Sequence, residues 1–128
     1  MTDNRAAGLK VFKELLPGLV PDTATTLRDD GFAGELGELG LEHVFGALWT
    51  RPGLDRRSRS LVTLGALIAL RADGELKFHF PIALQNGLTI EELEEVLYHL
   101  TGYVGYPAVS NARAVGCEVL PQKDQDPA

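Results

Sequence analysis

The chain has 128 residues, 45% of them hydrophobic, which is enough for one ordinary domain with a real core. Its formal net charge of −6 at pH 7 argues against a nucleic-acid partner, because phosphate backbones are bound by clustered Lys and Arg. A single cysteine, Cys117, excludes an internal disulfide, a CxxC redox pair and a cysteine-rich metal site.

Met1 leads into polar residues without the apolar run of a secretory signal, so a cytoplasmic protein is expected. Leu9, Phe12 and Leu15 or Leu16 share one side of a first amphipathic helix over residues 5 to 16, ending before Pro17-Gly18. Pro21 and Asp22 begin a turn or short helix through Leu27. In residues 31 to 49, Gly31, Gly34, Gly37 and Gly40 recur every third residue. Each interior glycine costs a helix ~0.8–1 kcal/mol relative to alanine, so this is the weakest helix of the set. Its leucines and Phe45 still fit one face, and the glycines point to close packing or tolerance; a phosphate loop would need a preceding strand. Pro52 and Gly53 make a turn, and Asp55 is placed to cap a helix from about Arg56 to Arg71. Its run from 61 to 70 is about half of the ~20 residues that a membrane span needs, so it reads as a core helix and no membrane partner is expected.

Ala72-Asp73-Gly74 breaks that helix, and a fourth major helix follows over residues 75 to 85, interrupted in pattern by Pro81 and stopped by Asn86-Gly87. Thr89 with Glu92 forms a capping box, leading a stripe of Ile90, Leu93, Val96, Leu97 and Leu100. Gly102, Gly105 and Pro107 mark the last break before a helix to about Leu120, and residues 121 to 128 read as a solvated tail. No segment alternates as a strand would, so the fold class is all-α. The apolar share is high for a lone bundle of this length, which predicts a homo-oligomer.

Three histidines are present: His43, His79 and His99. His43 reads as a hydrogen-bonded core or interface residue. His79 stands two residues before Pro81, whose missing amide hydrogen frees the carbonyl of Lys77 and whose ring pushes that turn outward, making a polar concavity. The same features also fit an irregular but inert helix. Glu75, four residues before His79, shares its helix face; a carboxylate there raises the histidine pKa and orients the ring, as a general acid requires. His99 lies beside the stripe ending at Leu100 and either approaches the same pocket or serves an interface. Arg51, in the Pro-Gly turn, and Arg59, at the start of the buried helix, are candidates for holding a carboxylate through the guanidinium fork, unless each pairs with one of the 18 acidic side chains. No metal-ligand spacing and no Ser-His-Asp set is present, so no metal is expected.

The stretches LWTRPGLDRRSRSLVTLGALIAL, residues 48 to 70, and ELKFHFPIALQNGLTIEELEEVLYHLTGYVGYPAVSNA, residues 75 to 112, closely resemble the carboxymuconolactone decarboxylase family. The resemblance covers about residues 44 to 120 and rests on the RPGLD turn, RSLVTL, the histidine ahead of AL-NG-T-EE, and the HL--Y-G-P---NA ending. It implies one alkylhydroperoxidase D-like domain of about six helices, commonly in trimers or hexamers, with active sites that form between subunits. The thiol peroxidases of the family carry a CxxC pair before the shared histidine. Those positions are Ala72 and Glu75 here, so thiol peroxidase activity is not expected.

The decarboxylase branch implies a cofactor-independent lyase that removes CO2 from 4-carboxymuconolactone in aromatic catabolism. His79 would then be the acid, and Arg51 with Arg59 would bind the carboxylates of a small substrate. Two positions depart from that branch: Ala47 stands where an acidic residue is usual, and Pro81 where arginine is common. They leave open a diverged isomerase or decarboxylase for another enolisable acid, or a non-catalytic oligomeric partner.

Overall fold

Asp3 opens the first helix because its carboxylate accepts the amide hydrogen of Ala6 at 2.9 Å, satisfying a donor that the helix N-terminus leaves unpaired. In the computed structural model, which describes residues 3 to 122, helix α1 runs Asn4–Leu15 and buries Gly8, Val11 and Leu15. Helix α2, Leu36–Gly40, passes directly into a π-helical segment, Leu41–Gly46. Helices α3 (Arg56–Leu70), α4 (Asp73–Gln85), α5 (Ile90–Val104) and α6 (Tyr106–Val119) follow. The described residues contain no strand, so the fold is all-α with six helices, as expected. From residue 123 onward the expected tail lies outside the described residues. The chain divides into two compact units, Met1–Arg56 and Arg57–Ala128.

In the first unit the backbone of α1 meets the backbone of the π-helical segment. A Cβ on Gly8 would lie 1.8 Å from the carbonyl oxygen of Leu41, and one on Gly46 would lie 1.8 Å from that of Asn4. Only glycine fits at either position. Phe12 packs edge-on against Phe45 with ring centroids 5.5 Å apart, and Phe45 stacks on Trp49 at 6.4 Å, so the aromatic rings seal the same contact. The glycine-rich stretch departs from the long helix expected over 31 to 49: residues 31 to 35 are turn, Ala33 adopts φ 55°, and regular helix begins only at Leu36. The glycines lower helix propensity there, and tertiary contacts set the conformation instead.

Charged side chains staple the irregular residues between α1 and α2. Lys13 Nζ donates to the carbonyls of Asp22 and Ala24, each at 2.7 Å. Glu38 accepts from Arg5, from the Thr26 hydroxyl, and from the Leu27 amide at 2.8 Å. These donors hold the Glu38 carboxyl down to about 2 from an ordinary 4.5, with Arg5 the largest cause.

In the second unit, Leu64 and Ile68 of α3, Leu76, Phe80 and Ala83 of α4, Leu93 of α5 and Val109, Ala112 and Val115 of α6 form one core with Leu88. Buried Ser60 accepts a hydrogen bond from Asn86 Nδ2 at 2.9 Å, so α3 and the end of α4 share a satisfied polar contact. Lys77 pairs with Glu118 at 3.3 Å, and Asn111 donates to Asp73, so two polar contacts join α4 to α6. Thr89 and Glu92 form the expected capping box at both ends, 3.0 Å each. Pro81, expected to break the pattern of its helix, stands inside α4 without ending it. An interior proline costs a helix about 3 kcal/mol. Here Ile82 and Ala83, directly beyond it, are 1% and 0% exposed, and their burial offsets that cost.

The Gly8 contact predicts that Gly8→Ala lowers unfolding free energy in urea by about 3 kcal/mol, since backbone rather than a flexible side chain must move; a loss under about 1 kcal/mol would show that the two segments separate freely. The Glu38 carboxyl, depressed on folding, contributes stability that is complete above pH 4.5 and fades as pH falls through about 2. Glu38→Gln is therefore expected to lower Tm at pH 7 and to shrink the loss of Tm between pH 4.5 and 2; equal Tm deficits at both ends of that range would contradict it.

Candidate active site

His79 is placed by the register of α4. The helix buries Leu76, Phe80 and Ala83, and His79 lies at the edge of that face, half-buried, with Nδ1 sealed from solvent. Glu75, one turn earlier, is exposed. Burial pushes the His79 pKa below 6.5, and the Glu75 charge pushes it up by less. The expected rise is thus reversed: solvent screens exposed Glu75, while the ring itself sits in protein. The lowered pKa favours the uncharged imidazole. An anionic ligand beside it restores a proton, because a nearby negative charge favours the imidazolium. The arrangement can therefore load a proton as the substrate arrives and deliver it afterwards.

The other sequence candidates are spread out. Arg59 is half-buried near the start of α3, and Arg51 is exposed in the turn of the first unit. Each already interacts with other groups of the protein, so binding a carboxylate requires exchanging those partners. His99 lies on the exposed side of α5 with its ring 5.0 Å from that of Tyr103. It lines a shallow groove of about 380 Å³ with Leu61, Leu88, Glu92, Glu95 and Val96, and His79 is not part of that lining. His99 therefore does not join His79 in one cavity, because the α5 register that buries Leu93 turns His99 toward solvent. His43 is exposed.

A larger cavity of about 670 Å³ lies among α4, α5 and α6, lined in part by Phe80, Leu93, Leu97, Tyr98, Arg113 and Cys117. Sequence reasoning passed over Arg113 and Tyr98. The available signal was their position flanking the apolar stripes of α6 and α5, a placement equally common on solvated faces.

Residues 34–116 match the carboxymuconolactone decarboxylase family, a span that contains Arg51, Arg59, Glu75, His79 and His99. The chain is similar to a 4-carboxymuconolactone decarboxylase from Acinetobacter baylyi, 43% identical over 76 residues, which are 59% of this chain and 57% of that relative. It is also similar to nitrosuccinic acid decarboxylase npaB from Metarhizium robertsii, 39% identical over 109 residues, which are 84% of this chain and 75% of the relative. The chain thus spans little more than half the length of the first relative and three quarters of the second.

Proton NMR of the His79 ring is expected to show a titration midpoint below 6.5, moving lower still in Glu75→Gln as the one upward influence is removed. A midpoint above 6.5 in the native protein would mean that the charge of Glu75, not burial, governs the ring.

Proposed function

The chain belongs to the carboxymuconolactone decarboxylase family, and on that premise we propose that it is a cofactor-independent carboxy-lyase releasing CO2 from a small carboxylated lactone, 4-carboxymuconolactone, in aromatic catabolism. The observation that carries the reading is the half-buried imidazole of His79, its pKa lowered by burial, within the family-matched residues. In the reaction the bond between the ring carbon and its carboxylate breaks, CO2 leaves, and the electron pair spreads through the unsaturated lactone to its carbonyl oxygen. The carbon next to that carbonyl, at the far end of the delocalised pair, then takes a proton from His79 to give the enol-lactone, and solvent returns one to the imidazole. The substrate supplies its own electron sink, so the chemistry calls for no metal or cofactor. Arg59, in the same unit as His79, binds a carboxylate through its guanidinium fork, and its charge favours the anion that loads His79 with its proton. Glu75 is a positioning residue, acting on substrate only through the histidine.

A second reading is favoured by the 109-residue similarity to nitrosuccinic acid decarboxylase and by Ala47 and Pro81 at positions where lactone decarboxylases usually differ. A nitro group beside the departing carboxylate accepts the electron pair as the lactone carbonyl does, so the same proton donor serves both substrates. Self-association completes the proposal: Val62, Leu70, Tyr103 and Tyr106 are large, exposed side chains of the second unit, and a trimer or hexamer would cover them. No helix among the described residues is long and apolar enough to cross a membrane.

Turnover of 4-carboxymuconolactone, generated in situ, and of nitrosuccinate is measured for the native protein and for His79→Ala, with oligomeric state followed in the same buffer. The expected result is turnover of the lactone and a fall in kcat of roughly 10²–10⁴-fold in His79→Ala. Turnover of nitrosuccinate alone would select the second reading, and turnover of neither by a well-formed oligomer would sink both. With His79 as the acid, kcat/KM falls as pH rises through its lowered pKa, and Glu75→Gln moves that limb to lower pH.

A further inference from the structure

We propose that the cavity among α4, α5 and α6 is a second binding site, separate from His79, for a small amphipathic monocarboxylate anchored by Arg113. Its volume, about 670 Å³, falls within the roughly 300–1,000 Å³ usual for small-molecule sites. The floor is apolar: Phe80 comes from α4, and Leu93 and Leu97 come from α5. Phe80 and Leu93 are fully buried, so these walls are held by the core and are preformed.

Charge at the rim decides the ligand class. Arg113 lines the cavity, is exposed, and enters none of the ion pairs formed among the described residues. In a chain with 18 acidic and 12 basic side chains, Arg5, Arg28, Arg56 and Arg57 all find carboxylates. A guanidinium without an ion pair among the described residues, set above an apolar floor, is complementary to a carboxylate whose hydrocarbon body fills that floor. Glu94 lines the same cavity from α5 and already interacts with another group of the protein, which leaves Arg113 as the one cation among the described lining residues. The site therefore selects a monoacid, whereas the lactone proposed for His79 carries two carboxylates. Tyr98, one turn beyond Glu94, offers a hydroxyl at the rim for a polar substituent. Cys117, one turn beyond Arg113 on the same wall, is exposed and reports on occupancy.

Octanoate is the test ligand, with octylamine as the probe of opposite charge and octanol as the neutral one, all titrated calorimetrically into the full chain. Octanoate is expected to bind with a Kd on the order of 10⁻⁴ M. Arg113→Gln should weaken octanoate at least tenfold without changing octanol, and octylamine should bind more weakly than either. Saturating octanoate should slow alkylation of Cys117 by iodoacetamide, and Leu97→Trp, checked for native circular dichroism, should remove both binding and protection. Binding of all three probes alike, or octanoate binding that leaves Cys117 reactivity unchanged, would overturn the proposal. So would a Cys117 already protected without ligand and released on dilution, which would give the cavity to a second copy of the chain.

Discussion

The burial of α4 governs most of what the second unit does. Leu76, Phe80, Ile82 and Ala83 are each at most 1% exposed, so the helix is enclosed on more than one side and its rotation is fixed. That rotation leaves His79 half-buried at the edge, where loss of water outweighs the charge of Glu75. It also turns Phe80 into the floor of the cavity shared with α5 and α6. The same burial accommodates Pro81: the residues just beyond it are held by contacts with neighbouring helices, so the helix continues past a residue that cannot contribute its own hydrogen bond.

The first unit is held by a different balance. It has little regular structure between α1 and α2, and its order comes from donors and acceptors aimed at backbone carbonyls and at one carboxylate, Glu38. The glycine contact between α1 and the π-helical segment brings two backbones together at a distance no side chain permits. Widening the helix to a π turn, in which the Trp49 amide donates to the Val44 carbonyl at 3.0 Å, sets Trp49 where it stacks on Phe45.

The chemistry proposed for His79 follows from placing a titratable ring where protein has replaced most of its water. Such a ring is a poor permanent cation and a responsive one: it takes up a proton when an anion arrives and gives it readily to a carbon that has just gained an electron pair. The decarboxylase relatives are named one for a lactone and one for a nitro acid.

Much of the fold was legible in the residues themselves. The Thr89–Glu92 capping box, the stripe from Ile90 to Leu100 and the stops at Pro17-Gly18 and Asn86-Gly87 are local signals, and α1, α3, α4, α5 and α6 begin and end within a few residues of where those signals place them. The stretch from 31 to 49 was not legible, because glycines weaken local preference and the π-helical turn depends on a contact with α1, distant in sequence. Sequence could place His79 and Glu75 one turn apart on the same helix, since spacing along one helix is a local matter. Only the tertiary structure decided the sign of the His79 pKa shift, the placing of His99 in a groove that His79 does not line and the gathering of Arg113, Tyr98 and Phe80 around a cavity. Desolvation and cavity shape are set by which helices pack together, and residues far apart in the chain supply both.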